Sequence, residues 1–185
     1  MKLEDEPKFK KWKSTLEKSG CIIKGYDSLQ VIYKKNDELL FAMLRTEITT
    51  PEGNALPPIV VIRGDVVVIV PKVRNRATGQ ERFVMVRQDR IGNGRRTLEF
   101  PAGMLDRNIG DPAAVAVDEM AEETGLTVNK KDLFPLSDKA LYTSPGLDDE
   151  AVYYFGCVIE LTDEAYRALE GNKTGAIEEG EKIIV

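Results

Sequence analysis

Four acidic side chains lie close together in one short stretch of the sequence, at positions 118, 119, 122 and 123. Residues three and four positions apart are neighbours on a helix, so the carboxylates of Glu119, Glu122 and Glu123 converge, with Asp118 on the same arc. Like charges at these spacings cost roughly 0.2–0.5 kcal/mol per pair, and positions 112–124 contain no Lys or Arg to offset them. A divalent cation resolves the repulsion, because Mg²⁺ takes oxygen ligands. The alternative interpretation is an acidic, solvated helix face.

The helix that carries these carboxylates has clear signals at both ends. Asp111 is a good N-cap, Pro112 suits the first helical position, and Gly125 suits the C-terminal cap. The sequence therefore predicts a helix over about residues 112–124. The face opposite the carboxylates is predicted to consist of Ala113, Val117, Met120 and Thr124, flanked by Ala116 and Ala121.

The composition excludes several other kinds of site. The 185 residues contain no His, so there is no Ser-His-Asp triad, no histidine metal site and no imidazole acid or base. A net charge of -5 argues against binding along nucleic acid. Cys21 and Cys157 lack metal-ligand spacing and are expected to be reduced core residues. The sequence shows neither an apolar signal-peptide core nor an apolar run long enough for a membrane span, so we expect a cytoplasmic protein that does not bind membranes.

Most of the remaining sequence reads as strands separated by turns. One strongly marked helix among many strands indicates an α+β domain with a mixed β-sheet. The charged first 20 residues read as a helical or frayed arm. The predicted strand regions begin with a β-meander over 21–47, with a turn at Asn36-Asp37, and two β-branched runs divided by Gly64-Asp65. The strands continue in segment 81–90, in segment 97–103 (which leads out of a strand into a loop), in segments 133–142 and 151–161, and at the end of segment 178–185. A short helix is expected after Thr162.

The segment EFPAGMLDRNIGDPAAVAVDEMAEETGL resembles the signature of Nudix hydrolases, an acidic helix preceded by a glycine loop. The lead-in LEFPAG, with Glu99, Ala102 and Gly103, resembles the ADP-ribose and ADP-sugar pyrophosphatase branch of that family. The spacing that follows is closest to the plant-type ADP-glucose pyrophosphatases. The positions that match the end of the signature are Glu119, Met120, Glu122, Glu123, Gly125 and Leu126.

The sequence departs from this signature at three positions. Gly103 stands one residue too far upstream, so the loop is longer by one residue. The first glutamate of the signature falls on Gly110, and its arginine falls on Asp118. In the family these two residues commonly brace the loop against the helix. Asp111 or Asp106 are candidates to replace the missing carboxylate.

The resemblance implies a Nudix α/β/α sandwich with a mixed sheet, preceded by an N-terminal β-meander arm. Residues 1–50 would then form the arm, and residues 51–185 the catalytic domain. Family members of this branch are usually dimers whose N-terminal strands cross over, so we expect a homodimer. The implied reaction is Mg²⁺-dependent (or Mn²⁺-dependent) hydrolysis of a nucleoside diphosphate sugar, ADP-glucose or ADP-ribose, to AMP and a sugar phosphate.

By the same resemblance, roles are assigned to individual residues. The expected metal ligands are Glu119, Glu122, Glu123, the backbone carbonyl of Ala102, and Glu181. Glu123 and Glu179 are the expected catalytic residues, with Glu179 as the base. Asp148, Asp149 and Glu150 are rival candidates for the base. The expected substrate-binding residues are Arg87, Arg90, Glu99, Gly103 and Glu150.

Two other functions stay open. One is a Nudix hydrolase of a different nucleoside diphosphate compound, such as NADH or coenzyme A. The other is a catalytically weak sensor that binds ADP-ribose-like ligands, which the replacement of the signature arginine by Asp118 favours and the retained glutamates oppose.

Overall fold

The computed structural model describes residues 2–106, 110–175 and 183–185. It divides into two compact units, one formed by Met1–Asp65 with Leu141–Ala151, the other by Val66–Ala140 with Val152–Val185. The expected Glu179 and Glu181 lie outside the described residues. Among the described residues, no helix is long and apolar enough to cross a membrane.

Three α-helices and thirteen strands are described. The helices are α1 Pro7–Lys18, α2 Pro112–Thr124 and α3 Asp163–Ala168. The strands are β1 Ile22–Tyr33, β2 Leu39–Thr49, β3 Ile59–Ile62, β4 Val66–Asn75, β5 Glu81–Phe83, β6 Val86–Arg90, β7 Arg95–Glu99, β8 Ala102–Met104, β9 Phe134–Pro135, β10 Leu141–Tyr142, β11 Ala151–Leu161, β12 Lys173–Thr174 and β13 Ile183–Ile184. The expected mixed α+β architecture is confirmed.

The first unit contains the predicted β-meander. Strands β1, β2 and β3 form an antiparallel sheet in that order, and Asp37 adopts the left-handed conformation (φ 62°) in the turn between the first two. The N-terminal segment forms α1, and its Phe9 and Trp12 are buried against Leu44 and Ile62. This packing stabilises the position of the charged N-terminal segment, because two large aromatic side chains are removed from contact with water.

The second unit is built on a mixed sheet around β4. Strand β11 runs parallel to β4, whereas β5 and β8 pair with β4 antiparallel, β8 near its start and β5 near its end. A further antiparallel set has the order β12-β13-β6-β7. Strands β4 and β8 pack against α2, and Gln88 of β6, which precedes α2 by more than 20 residues, reaches Glu123 with its side chain.

Helix α2 begins and ends as the sequence predicts. The Asp111 side chain accepts a hydrogen bond from the backbone N–H of Ala114 at 3.2 Å, and Gly125 closes the helix in the left-handed conformation (φ 72°). The predicted inward face was partly wrong. The buried residues are Val115, Ala116, Met120, Glu123 and Thr124. Glu123 therefore belongs to the buried side and not to the exposed acidic arc, because the Ala102 backbone of β8 and the Gln88 side chain of β6 contact its carboxylate.

Segment 133–142 does not form the continuous strand expected from its sequence. Only β9 and β10, two residues each, are strand-like. Pro135 has no N–H to donate to a ladder, and the Ser137 hydroxyl donates to the carbonyl of Lys139 at 2.7 Å, closing a turn. In β9, the Phe134 ring lies directly on Gly156 of β11, where a Cβ atom would approach it to 2.6 Å.

Candidate active site

The glycine loop before α2 is held at the start of β4. Ala102 and Gly103 of β8 pair with Val68 and Val67, and the Pro101 carbonyl accepts a hydrogen bond from the Ile69 N–H at 2.8 Å. The backbone of Gly103 contacts the carboxylate of Glu119 so closely that a Cβ atom at position 103 would overlap it. Only glycine permits this approach. The loop backbone and Glu119 are therefore in direct contact.

Glu123 is the most buried of the signature glutamates, with only 3% of its surface exposed. Its Oε1 accepts a hydrogen bond from Nε2 of Gln88 at 2.9 Å, and its Oε2 accepts one from the Ala102 N–H at 3.0 Å. Three separate elements, β6, β8 and α2, thus meet at one carboxylate. A buried charge needs such donors, because an uncompensated one is costly.

The other acidic residues of α2 lie in more open surroundings. Glu119 is partly buried, while Glu122 and Asp118 are exposed. Among the described residues, no group of three Asp, Glu or Cys side chains is already close enough to hold a metal ion. The chemistry of the donors nevertheless fits Mg²⁺ or Mn²⁺, since carboxylates and the Ala102 carbonyl are hard oxygen ligands. The exposed Glu122 side chain is able to change rotamer.

The last turn of α2 is tied to the segment that precedes Glu179. The Thr174 hydroxyl donates to the carbonyl of Glu123, and the Gly175 N–H donates to the carbonyl of Glu122 at 3.1 Å. These contacts satisfy two carbonyls that a helix end leaves unpaired.

Arg90 of β6 and Glu99 of β7 form a bidentate ion pair. Arg90 donates from Nε to Oε1 at 3.0 Å and from Nη2 to Oε2 at 2.7 Å. The Arg90 guanidinium lowers the pKa of the Glu99 carboxyl below its ordinary value, against the opposing effect of partial burial. Arg87 is exposed, on the face of β6 opposite Gln88. Glu99 and Arg90, both expected to contact substrate, therefore contact each other.

The remaining expected substrate residue, Glu150, lies in the first unit. It forms an ion pair with Nε of Arg63 at 3.0 Å, and burial raises its pKa. Its neighbour Asp149 accepts hydrogen bonds from the backbone N–H groups of Arg63 and Gly64, at 2.8 and 3.1 Å. Burial also raises the pKa of Asp149. Asp148 accepts from the Glu150 N–H at 3.3 Å.

Two of the departures from the signature are substitutions, Gly110 in place of the first glutamate and Asp118 in place of the arginine. Within the part of the chain that the structure describes, no atom lies within 4 Å of the place of a Cβ at Gly110. Asp111 caps α2 and pairs with Lys130, which lowers the pKa of Asp111. Asp118, at the place of the signature arginine, is exposed.

Sequence reasoning missed Gln88. Its side chain is 9% exposed and donates to Glu123. The two-residue alternation of a strand could have indicated Gln88. Val86 is fully buried, and residues two positions apart on a strand face the same side. A polar residue two positions after a core valine is expected to point inward and to need a partner.

An acidic helix after a glycine loop, set on a mixed sheet, defines a class of diphosphate-binding enzyme domain, and comparison with known proteins agrees. The NUDIX domain model matches residues 64–182. Over 98% of its length the chain is 31% identical to Nudix hydrolase 14, chloroplastic, of Arabidopsis thaliana. The chain belongs to the Nudix family.

Further relatives and a solved structure are consistent with this assignment. An ADP-ribose pyrophosphatase of Bacillus subtilis is 40% identical over 78 residues, which are 42% of this chain and 40% of that protein. A crystal structure described as an ADP compounds hydrolase shares the fold, with a TM-score of 0.55, 18% identity, and coverage of 78% of this chain and 72% of that one. The chain spans 62% of the plant relative's length.

Proposed function

We propose that this chain hydrolyses the diphosphate of an ADP-sugar, ADP-glucose or ADP-ribose, to AMP and a sugar phosphate, with Mg²⁺ or Mn²⁺ as cofactor. The observation that carries the proposal is the contact between the glycine loop and α2, where Glu119 lies on Gly103 and Glu123 is bonded to Ala102. The names of the relatives, two of them ADP-ribose pyrophosphatases, support ADP-sugars as the substrate class.

The chain's own residues would position the cation and the diphosphate. Glu119, Glu122, Glu123 and the Ala102 carbonyl would hold the cation, which supplies charge neutralisation and a more acidic water when bound. Phosphoryl transfer of this kind depends on positioning and charge stabilisation, so the absence of histidine from the chain is no obstacle. Arg90, with its planar guanidinium, is the proposed contact to the diphosphate, and Arg87 a second one.

The water that attacks phosphorus needs a base. We keep Glu179 for this role and Glu181 as a further ligand, on the basis of the sequence resemblance. Asp149 is a weak rival, because its Oδ1 already accepts two backbone N–H groups. Glu150, whose pKa is raised by burial, remains the stronger rival and the proposed contact to the sugar. Substitution of Glu179 and of Glu150 by Gln, compared at several pH values, separates the two candidates.

The direct test is release of AMP from ADP-glucose and from ADP-ribose, measured side by side with Mg²⁺, with Mn²⁺ and with a chelator. Metal-dependent AMP from either sugar supports the proposal, and the ratio of kcat/KM identifies the preferred one. Turnover of NADH or coenzyme A in preference to both would assign a different substrate. Absence of metal-dependent turnover from the whole panel would refute a hydrolase.

A second function, ligand binding without turnover, is favoured by the replacement of the signature arginine by exposed Asp118. Calorimetry with ADP-ribose distinguishes it: a sensor binds ADP-ribose and leaves it intact.

We also propose a homodimer formed through the N-terminal unit. Strand β1 is twelve residues long and lies at the edge of its sheet, so its outer backbone groups are available for pairing. Light scattering at several concentrations tests this. A cytoplasmic location rests on the sequence alone, and the plant relative is named as chloroplastic.

A further inference from the structure

A cavity of about 250 Å³ lies in the second unit, between the β4–β5 turn and α3. It is separate from the candidate active site, because β8 pairs with β4 at Val66–Val68 and Asn75 ends that strand roughly 20 Å further along. The side chains of the residues that line the cavity are all polar: two amides, two hydroxyls, two guanidinium groups and two carboxylates. The lining therefore offers hydrogen-bond donors and acceptors together, with no net charge.

Tyr166 of α3 brings a buried hydroxyl group to this lining. The residue is only 5% exposed, and its ring belongs to a cluster with Val73 and Val84. Among the described residues, no group forms a hydrogen bond with the Tyr166 hydroxyl, which is itself buried. A buried hydroxyl without a partner is costly, because it has given up its bonds to water. A group from outside the chain is therefore needed to satisfy it.

Asn75 fixes the two walls of the cavity relative to each other. It is 2% exposed, and its Nδ2 donates to Oδ1 of Asp163 at 2.8 Å, which joins the end of β4 to the start of α3. Its Oδ1 accepts from the Ala77 N–H at 2.9 Å, and its carbonyl accepts from the Gly79 N–H at 2.8 Å. These bonds hold the turn in one conformation, so a ligand would enter a preorganised cavity.

The charged groups of the lining already balance one another. Nη2 of Arg167 pairs with Oδ2 of Asp163 at 3.1 Å. Arg82 lies over the Tyr166 ring, 5.1 Å from its centroid, and its Nη1 is 3.8 Å from Oε2 of Glu170. A charged ligand would have to compete with these pairs. A neutral ligand would not, because a guanidinium has five N–H donors and a carboxylate about four acceptor positions, so the pairs leave some of each.

We propose that this cavity binds a neutral polyhydroxylated compound of the size of a monosaccharide, with the Tyr166 hydroxyl as one of its contacts. Each hydroxyl of such a compound both donates and accepts, which matches a lining that contains both kinds of group. The volume is somewhat below the about 300–1,000 Å³ of ordinary small-molecule sites, which suits a ligand with a single ring. No lining residue is a proposed ligand of the cation or of the diphosphate, so the inference does not depend on the proposed hydrolysis.

The test is the binding of D-glucose and of D-ribose to the full chain, followed by saturation-transfer difference NMR with a chelator present. Inorganic phosphate and glycine are the probes for charged ligands. Tyr166→Phe removes only the hydroxyl, and Tyr154→Phe is the matched control, since Tyr154 is a partly buried tyrosine of β11 outside the cavity. We expect Y166F to weaken sugar binding about three- to tenfold and Y154F to leave it unchanged.

Thermal unfolding without sugar shows whether the variants are folded. Y166F should have a Tm equal to or above that of the wild type, because it removes a hydroxyl that no described residue satisfies. If Y166F unfolds at a lower temperature instead, Arg82→Met decides: Arg82 is exposed, and its loss should weaken sugar binding without unfolding the protein.

Three results would each overturn the proposal. They are equal sugar binding by the wild type and the cavity variants, stronger binding of phosphate or glycine than of either sugar, and no binding of either sugar by the wild type. Hydrolysis of the ADP-sugar should be the same in Y166F as in the wild type, because the cavity lies at the other end of β4 from β8. Absence of hydrolysis from the wild type would therefore count against the proposed function and not against this cavity.

Discussion

At the scale of single residues, the three signature glutamates have the same side chain but three different surroundings. Glu122 is exposed, Glu119 lies on the backbone of Gly103, and Glu123 is buried between Gln88 and Ala102. The sequence predicted which residues form the candidate site, because their spacing on a helix is local information. It could not predict the burial of Glu123, because that depends on strands paired elsewhere in the chain.

Glu123→Gln should reduce metal-dependent turnover by at least about a hundredfold, since replacement of mere neighbours of metal ligands already costs about 10–100-fold. The glutamine keeps an oxygen for the Ala102 N–H, and its amide can donate to Gln88 once that side chain turns over, so Tm should change by only a few degrees. Glu122→Gln, on the exposed side of the same helix, is the control and should lose less. Equal losses in the two variants would contradict the special role of Glu123.

Arg90→Gln should raise KM for the ADP-sugar about tenfold with a smaller change in kcat, because the variant lacks the guanidinium that would bind the diphosphate through two hydrogen bonds. The control is Arg96→Gln. Arg96 makes a similar exposed pair with Asp89, at 3.0 Å for each of two bonds, and has no proposed contact to substrate. If R90Q and R96Q have the same kinetic constants, Arg90 forms a surface ion pair with Glu99 and does not bind the substrate.

At the scale of elements, α2 was predicted with its exact ends because every signal was local: the Asp111 cap, the first-turn proline and Gly125. The strands of the meander and β4 followed from their β-branched runs. Strand β8 was expected to be loop, because Pro-Ala-Gly is a turn-like sequence and only the pairing with Val66–Val68 makes it extended. Local chemistry thus predicted the helix and missed the strand beneath it.

Gly103→Ala should displace the Glu119 carboxylate and lower kcat/KM by at least about tenfold. The added Cβ would occupy the volume of the Glu119 carboxylate, so either the side chain rotates away or β8 shifts. Gly92→Ala is the matched control, since a Cβ there meets no atom of the described residues within 4 Å. A fully active G103A protein would show that close contact between the loop and Glu119 is not needed for catalysis.

At the scale of the whole molecule, the division of the chain into units does not follow the order of the sequence. Residues 141–151 belong with the N-terminal unit, where Asp148 bridges to Val61 of β3 and the Val61 N–H donates to the Leu147 carbonyl at 2.8 Å. The sequence suggested a boundary near residue 50 and gave no signal for this return, because contacts more than 80 residues apart leave no local pattern. The dimerisation role of residues 1–50 stays a prediction.

Asp149, in the segment Leu141–Ala151, should make the stability of the N-terminal unit depend on pH. Burial raises its pKa above the ordinary value of 3.8, so the folded protein binds this proton more tightly than the unfolded chain does. Stability contributed by the protonated form is therefore present at pH values below 3.8 and declines as pH rises from there through the raised pKa of the folded state. At neutral pH the buried charge is a cost that the two backbone N–H groups only partly offset.

Asp149→Asn removes that charge and retains an oxygen that can accept from both Arg63 and Gly64. We expect the variant to unfold at a higher temperature than the wild type at pH 7, and the two Tm values to converge as the pH falls towards 3.8. Asp27→Asn, an exposed carboxylate on β1 of the same unit, should show no such convergence. A lower Tm for D149N at pH 7 would mean that the ionised carboxylate stabilises the segment, because its bonds to the two N–H groups would then outweigh the cost of its burial.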